Sequence, residues 1–256
     1  RRALITAGHI DEVKLEGLSD ERRPVFAGGV AVMSAVFKAL DIDVMQVSDL
    51  ALREGLLYEL VGHIQHIDIR DSSVKAMMQR FGIEKDQASR VESTARALLK
   101  QVSGNWCLDD PEHTLVLNWA SRLHELGLVV SHDSFHKHGA YILTNADMPG
   151  FTRQQQAILA ALVRVHRRKL VEGEFSGLAE HSVECVKRLA VLLRISVLMH
   201  RGRGGSQKPP MKIHAEGTEI RLDFPAQWLL EHPMTEAEIA REAEYLAAAG
   251  FTLQYA

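Results

Sequence analysis

The sequence predicts an α+β protein that is mostly helix. Apolar residues recur at helical spacing almost without interruption from Val74 to about Arg203. Residues Met211 to Phe224 alternate around Glu216-Gly217 as the two arms of a β-hairpin do. Residues 1 to 62 mix helix and strand signals. With 256 residues, 46% of them hydrophobic, the chain can bury a substantial core in one large domain or two smaller ones. The changes of texture divide it into residues 1–66, 67–205 and 206–256.

In the first part, Gly28 and Gly29 read as a turn before an apolar helix, Val30 to Leu40. Free N–H groups at the positive end of that helix would receive an anion or a nucleotide-like group. A tight turn without a ligand is the plainer alternative. A short strand is expected at Val44 to Val47 and a helix at Leu50 to Leu60, and the polar segment Gln65 to Ser73 reads as a hinge. The middle part opens with a short helix, Val74 to Phe81, stopped by Gly82. In the helix that follows, Ala88, Val91, Ala95, Leu98, Leu99 and Val102 form one buried stripe. Thr114 to Leu126 and Val183 to Met199 are apolar on nearly all sides, as helices at the centre of a bundle are. Pro149-Gly150 marks a turn, after which Thr152 and Gln155 make a capping-box pattern opening a helix to about Leu170. Beyond a linker at Gly202 to Pro210 come the hairpin, a last helix at Thr235 to Ala249 and a terminal strand.

Composition narrows the function. No apolar run approaches the roughly 20 residues needed to cross a bilayer; even Val191 to Met199 is broken by Arg194 and Ser196. Arg1 to Ile10 lack an initiator Met and the pattern of a secretion signal, so the chain is expected to start inside a longer product. Two cysteines, Cys107 and Cys185, are too few for a disulfide framework and point to a reducing cytoplasm, with peripheral membrane association as a variant. A net charge of -3 gives no global attraction to polyanions, which argues against duplex DNA and leaves anion binding to local clusters.

Two such clusters stand out. His124, His132, His136 and His138, with Glu125, are of the right kind to hold a divalent metal or, protonated, a phosphate. The segment 163–170 places His166 in an apolar stripe, with Arg164, Arg167 and Arg168 on the opposite face. Such a charge run is most often a solvated surface. Arg201 and Arg203, beside Gly202, add a cationic loop.

Three segments, GLSDERRPVFAGGVAVMSAVF (17–37), VSDLALREGLLYEL (47–60) and LHELGLVVSHDSFHKHGAYILTNADMPGF (123–151), together resemble the exopolyphosphatase and guanosine pentaphosphate phosphatase (Ppx/GppA) family. The resemblance implies a two-lobed, actin-like phosphatase module followed by a helical domain related to the HD phosphohydrolases. On that reading, 1–66 is the end of the second lobe, 67–205 the HD-like domain and 206–256 a small α+β subdomain. The catalytic glutamate and phosphate loops would lie upstream, so no catalytic residue is expected in this chain, and the chain alone should be inactive. The HD positions match Gln87, His124-Glu125 and Ser196. Gln and Ser replace two charged or imidazole ligands, so a degenerate site without metal is expected. The family's reaction is attack by water on a terminal phosphate, with Mg2+ held by the upstream lobe. Its substrates are inorganic polyphosphate and guanosine pentaphosphate, and its assembly is a homodimer, for which the last helix with Ala247-Ala248-Ala249 is the candidate surface. A polyphosphate chain would be gripped by His136, Lys137, His138, Arg164, Arg167 and Arg168. The rival readings are an HD-type metal-dependent nucleotide phosphohydrolase acting through His124 and Glu125, and a non-catalytic dimerisation or regulatory module.

Overall fold

The computed structural model describes residues 1–45, 68–203 and 211–256. The chain divides into two compact units, residues 1–58 and 59–256.

In the first unit α1 (Arg2–Ala7) and α2 (Arg23–Ala39) are joined through a 3-10 turn at Ile10–Glu12. Pro24 opens α2, where its fixed φ suits the first turn and its missing N–H is not needed. The helix thus begins before the glycine pair. Gly28 and Gly29 lie inside it, where each amide bonds to a carbonyl one turn back. They are therefore not a helix N-terminus, and the anion-binding role expected there is corrected. No residue of α2 is buried, and Val25, Val32 and Leu40 are 70%, 64% and 69% exposed. Val44 and Met45 are not in a strand; the rest of that expected strand and the helix at Leu50 to Leu60 lie outside the described residues.

The second unit is a helical bundle carrying a small sheet. Asp68 caps α3 (Ile69–Arg80) by accepting from the Arg70 amide at 2.9 Å, so the helix starts five residues earlier than expected and takes up part of the supposed hinge. Gly82, at φ 64, ends the turn after it. The predicted stripe of α4 (Lys85–Val102) is buried throughout. Around it pack α5 (Pro111–Leu123), opened by the Asp110 side chain, and, after α6 (Phe135–Asn145) and α7 (Arg153–Val165), α8 (Glu180–Met199). Leu117, Trp119, Ala120 and Leu123 of α5 and Ala190 to Leu193 of α8 are fully buried, as their all-round apolarity predicts. The Thr152 and Gln155 pattern forms a complete capping box, with both reciprocal bonds present.

After α8 the chain forms β1 (Lys212–Glu216) and β2 (Glu219–Asp223), antiparallel, with Lys212 opposite Asp223 and Gly217 at φ 55 in the turn. Two helices, α9 (Trp228–Glu231) and α10 (Pro233–Ala247), then cross back to β3 (Thr252–Tyr255), which runs parallel to β2. Ile213, Ala215, Ile220, Leu222 and Leu253 face inward and join the bundle's core, so one apolar core serves both. The backbone is joined as well: the Asn105 amide donates to the Ala215 carbonyl at 3.1 Å and the Trp106 indole to Gly217 at 3.0 Å. Among the described residues no helix is long and apolar enough to cross a membrane.

Candidate functional site

The predicted histidine and arginine site residues of the second unit gather where α5, α7 and α8 end and α6 begins. Two glycines set that junction. A Cβ on Gly127 would stand 2.0 Å from the Phe135 carbonyl oxygen and 2.5 Å from the Gly139 nitrogen, so only glycine lets the turn at Leu126–Val129 lie against α6. A Cβ on Gly139 would meet Val163 Cγ1 at 2.9 Å, which sets the approach of α6 to α7.

The expected single helix from Thr152 to Leu170 stops at Val165. Its continuation would use the carbonyl of Val165, but the buried guanidinium of Arg194, on α8, donates to that carbonyl and to the carbonyl of Arg168. Arg168 takes φ 64, and the chain turns. In consequence the neighbouring cations point into different cavities.

The larger is a cleft of about 490 Å3 whose walls include His136, Lys137, Arg164, Arg168, Lys169 and Glu174. Arg164 is held by Glu174 at 2.7 Å. Lys137, Arg168 and Lys169 are exposed and have no ion-pair partner among the described residues. His136 is buried beneath them with Nδ1 unpartnered, and burial, reinforced by Arg164, Arg167, Lys137 and Arg168, pushes its pKa down to about 4. His138 is half-buried and is not part of the cleft wall.

Arg167 faces the other way. Its guanidinium lies over the Phe135 ring, 4.5 Å from the centroid, at a cavity of about 230 Å3 that it shares with Gln87, His124, Glu125, His166, Arg201 and Arg203. Three of the four HD positions therefore converge. The fourth, Ser196, is buried and donates to its own helix at Leu192, while Val197 lines the cavity in its stead. Gln87 donates to the His200 carbonyl at 2.8 Å and accepts from Arg90 at 2.7 Å. Glu125 accepts from Arg203 at 2.6 Å. Among the described residues no three His, Cys, Asp or Glu side chains are placed to hold a metal.

Sequence reasoning overlooked Lys169, although it continues the Arg167-Arg168 run, and the pair Arg194–Glu242, whose members are 48 residues apart. In the first unit a groove of about 900 Å3 along α2 is lined mainly by Val25, Phe26, Val30, Met33 and Phe37 and carries no catalytic chemistry.

Comparison with known proteins agrees along the chain. Residues 69–243 match the family model described as Ppx/GppA phosphatase, domain III, and residues 2–64 the one described as Ppx/GppA phosphatase family. A guanosine-5'-triphosphate,3'-diphosphate pyrophosphatase of Pseudoalteromonas translucida is 34% identical over 95% of this chain and 49% of its own length. Proteins of the same description from Vibrio vulnificus and Vibrio cholerae are 33% and 32% identical, each over 99% of this chain and 50% of their own length. The chain spans about half the length of the curated relatives it matches.

Proposed function

The chain belongs to the Ppx/GppA phosphatase family, and from that premise we propose that it is the C-terminal part of a phosphohydrolase acting on guanosine pentaphosphate and inorganic polyphosphate, with the grip on the polyanion as its own share of the work. The name shared by its relatives supports the first substrate. The cleft supports the second: Lys137, Arg168 and Lys169 stand exposed in its lining with no ion-pair partner among the described residues, against two lining carboxylates, Asp133 and the Arg164-bound Glu174. A polyphosphate chain is a repeating anion, like a nucleic-acid backbone, and is bound by cations that displace its counterions. This unpaired row of cations is the observation that carries the reading.

The reaction is assigned to residues outside this chain, and the chain alone should not turn over substrate. Magnesium would supply charge neutralisation at the phosphoryl group in the complete protein. The described residues do not fit that ion, because the cavity carboxylate Glu125 is engaged by Arg203 and three guanidinium groups share the lining. The apolar exposure of α2 fits a helix that a larger phosphatase lobe would cover. A homodimer remains part of the proposal, with exposed Ala247 and Ala248 at the C-terminal end of α10 as its surface.

Fluorescence anisotropy of the 256-residue chain with labelled polyphosphate of long and short chain length tests the grip. Affinity should fall linearly on a log–log plot against salt, and K137Q/R168Q/K169Q should lower that slope by about 2, at about 0.7 per phosphate contact. Long chains should lose more than short ones. An unchanged slope, or equal loss at both lengths, removes the cleft from the substrate path.

A further inference from the structure

We infer that the smaller cavity, between the ends of α5, α7 and α8, binds one hydrogen-bearing orthophosphate ion, at a site separate from the cationic cleft. The inference rests on the cavity's own geometry and holds whichever substrate the complete protein prefers.

Its floor is made by two imidazoles. His124 Nδ1 lies 2.6 Å from the Ser121 carbonyl and His166 Nδ1 2.6 Å from the Val163 carbonyl. A carbonyl only accepts, so each Nδ1 carries the proton. Burial holds both rings in the neutral form, which leaves each Nε2 a bare acceptor. His166 is 2% exposed, lines the cavity, and its Nε2 has no hydrogen-bond partner among the described residues. Leaving a buried acceptor unmet is destabilising, so the floor calls for an occupant that donates a hydrogen bond.

The rim sets the sign of that occupant's charge. Arg167, Arg201 and Arg203 bring three positive charges; Glu125 in the lining, with Glu84 and Glu238 beyond it, pairs with Arg203 and Arg201, so Arg167 is the cation left without a carboxylate partner among the described residues. A metal cation is disfavoured by that unpaired charge, and the donor set does not converge on one. Arg203 is shared between Glu84 and Glu125, and Arg201 is paired with Glu238. Arg167 has no ion-pair partner among the described residues; it stacks on Phe135 beside Arg201 and Arg168, and burial with these like charges disfavours its own protonated state. An anion would relieve both strains. The occupant is thus an anion that also keeps an O–H: orthophosphate retains a proton near neutral pH, whereas sulfate has none to give. The phosphate O–H would donate to His166 Nε2, and its remaining oxygens would accept from Arg167 and its neighbours.

Isothermal titration calorimetry of the 256-residue chain with potassium phosphate and, at matched ionic strength, potassium sulfate decides the matter. Phosphate should bind saturably at one site and sulfate about tenfold or more weaker, the loss expected for one hydrogen bond to a charged group. Arg167→Gln should weaken phosphate by about tenfold or more on the same grounds, and K137Q/K169Q, in the neighbouring cleft, should leave it unchanged. His166→Phe should abolish the preference for phosphate over sulfate; if that variant does not fold, Arg167→Gln at the rim still decides. No saturable phosphate binding, equal binding of sulfate, or sensitivity to K137Q/K169Q with indifference to Arg167→Gln would each overturn the assignment.

Discussion

Gly127 has no unusual φ, yet no other residue fits it. The carbonyl of Phe135 and the amide of Gly139 occupy the space a Cβ would need, and both are backbone atoms that cannot rotate aside. Gly127→Ala should therefore push apart the turn and α6, at a cost of about 3 kcal/mol, read as a lower urea midpoint. Gly139→Ala meets a Val163 methyl at 2.9 Å and the Gly127 nitrogen at 3.3 Å, both farther than the 2.0 and 2.5 Å clashes at Gly127, and should cost less. Wild-type stability in the Gly127 variant would mean that the junction holding His124 and His136 is looser than described. Residue types in the site were legible in the sequence, histidines and arginines above all. The two glycines that bring them together were not, because their effect lies in what another segment does to the space beside them.

At the scale of elements, α7 shows where periodicity stops being a guide. Its apolar spacing runs on to Leu170, but Arg194 takes the carbonyl that the next turn would need. The Arg194 side chain is fully buried, with Nε 2.5 Å and Nη2 3.0 Å from the two carboxylate oxygens of Glu242 on α10. It thereby ties α7, α8 and α10 together at the base of the cationic turn. Burial raises the pKa of Glu242, and Arg194 opposes that rise. Arg194→Met should leave an uncompensated carboxylate and two orphaned carbonyls, costing about 3–5 kcal/mol. R194M/E242M should recover much of that loss in urea denaturation. If Arg194→Met alone is neutral, the pair does not hold the turn. By contrast the stripe of α4, the capping box at Thr152 and the hairpin at Glu216-Gly217 were readable in advance, because each depends on residues within one or two turns of each other.

Across the second unit, four buried histidines share one electrostatic condition. His124, His136, His166 and His200 all have lowered pKa values, burial being the first cause in each. A histidine depressed in the folded state binds its proton more readily when unfolded. Its contribution is therefore intact above the unfolded value of 6.5 and is lost as the pH falls toward the folded value, about 4 for His136. Each such histidine should remove about 1.4 kcal/mol of stability per pH unit within its window. Urea midpoints followed from pH 6.5 down to about 4 should fall steeply, and His136→Gln should flatten the curve by roughly one proton. A midpoint that stays level through that window would show the rings to be solvated.

The sequence by itself determined the mostly helical α+β character, the family and most of the elements from Val74 onward, α6 and α9 excepted, since these rest on local spacing, caps and motifs read along the chain. Tertiary structure alone decided that adjacent Arg167 and Arg168 serve different cavities. It also brought Lys169 to the wall of the cleft and left His166 Nε2 without a partner. The reason is physical. Periodicity reports which face of an element is apolar, whereas the convergence of charges depends on how close elements far apart in sequence can approach, and here two glycines and one buried guanidinium set that approach.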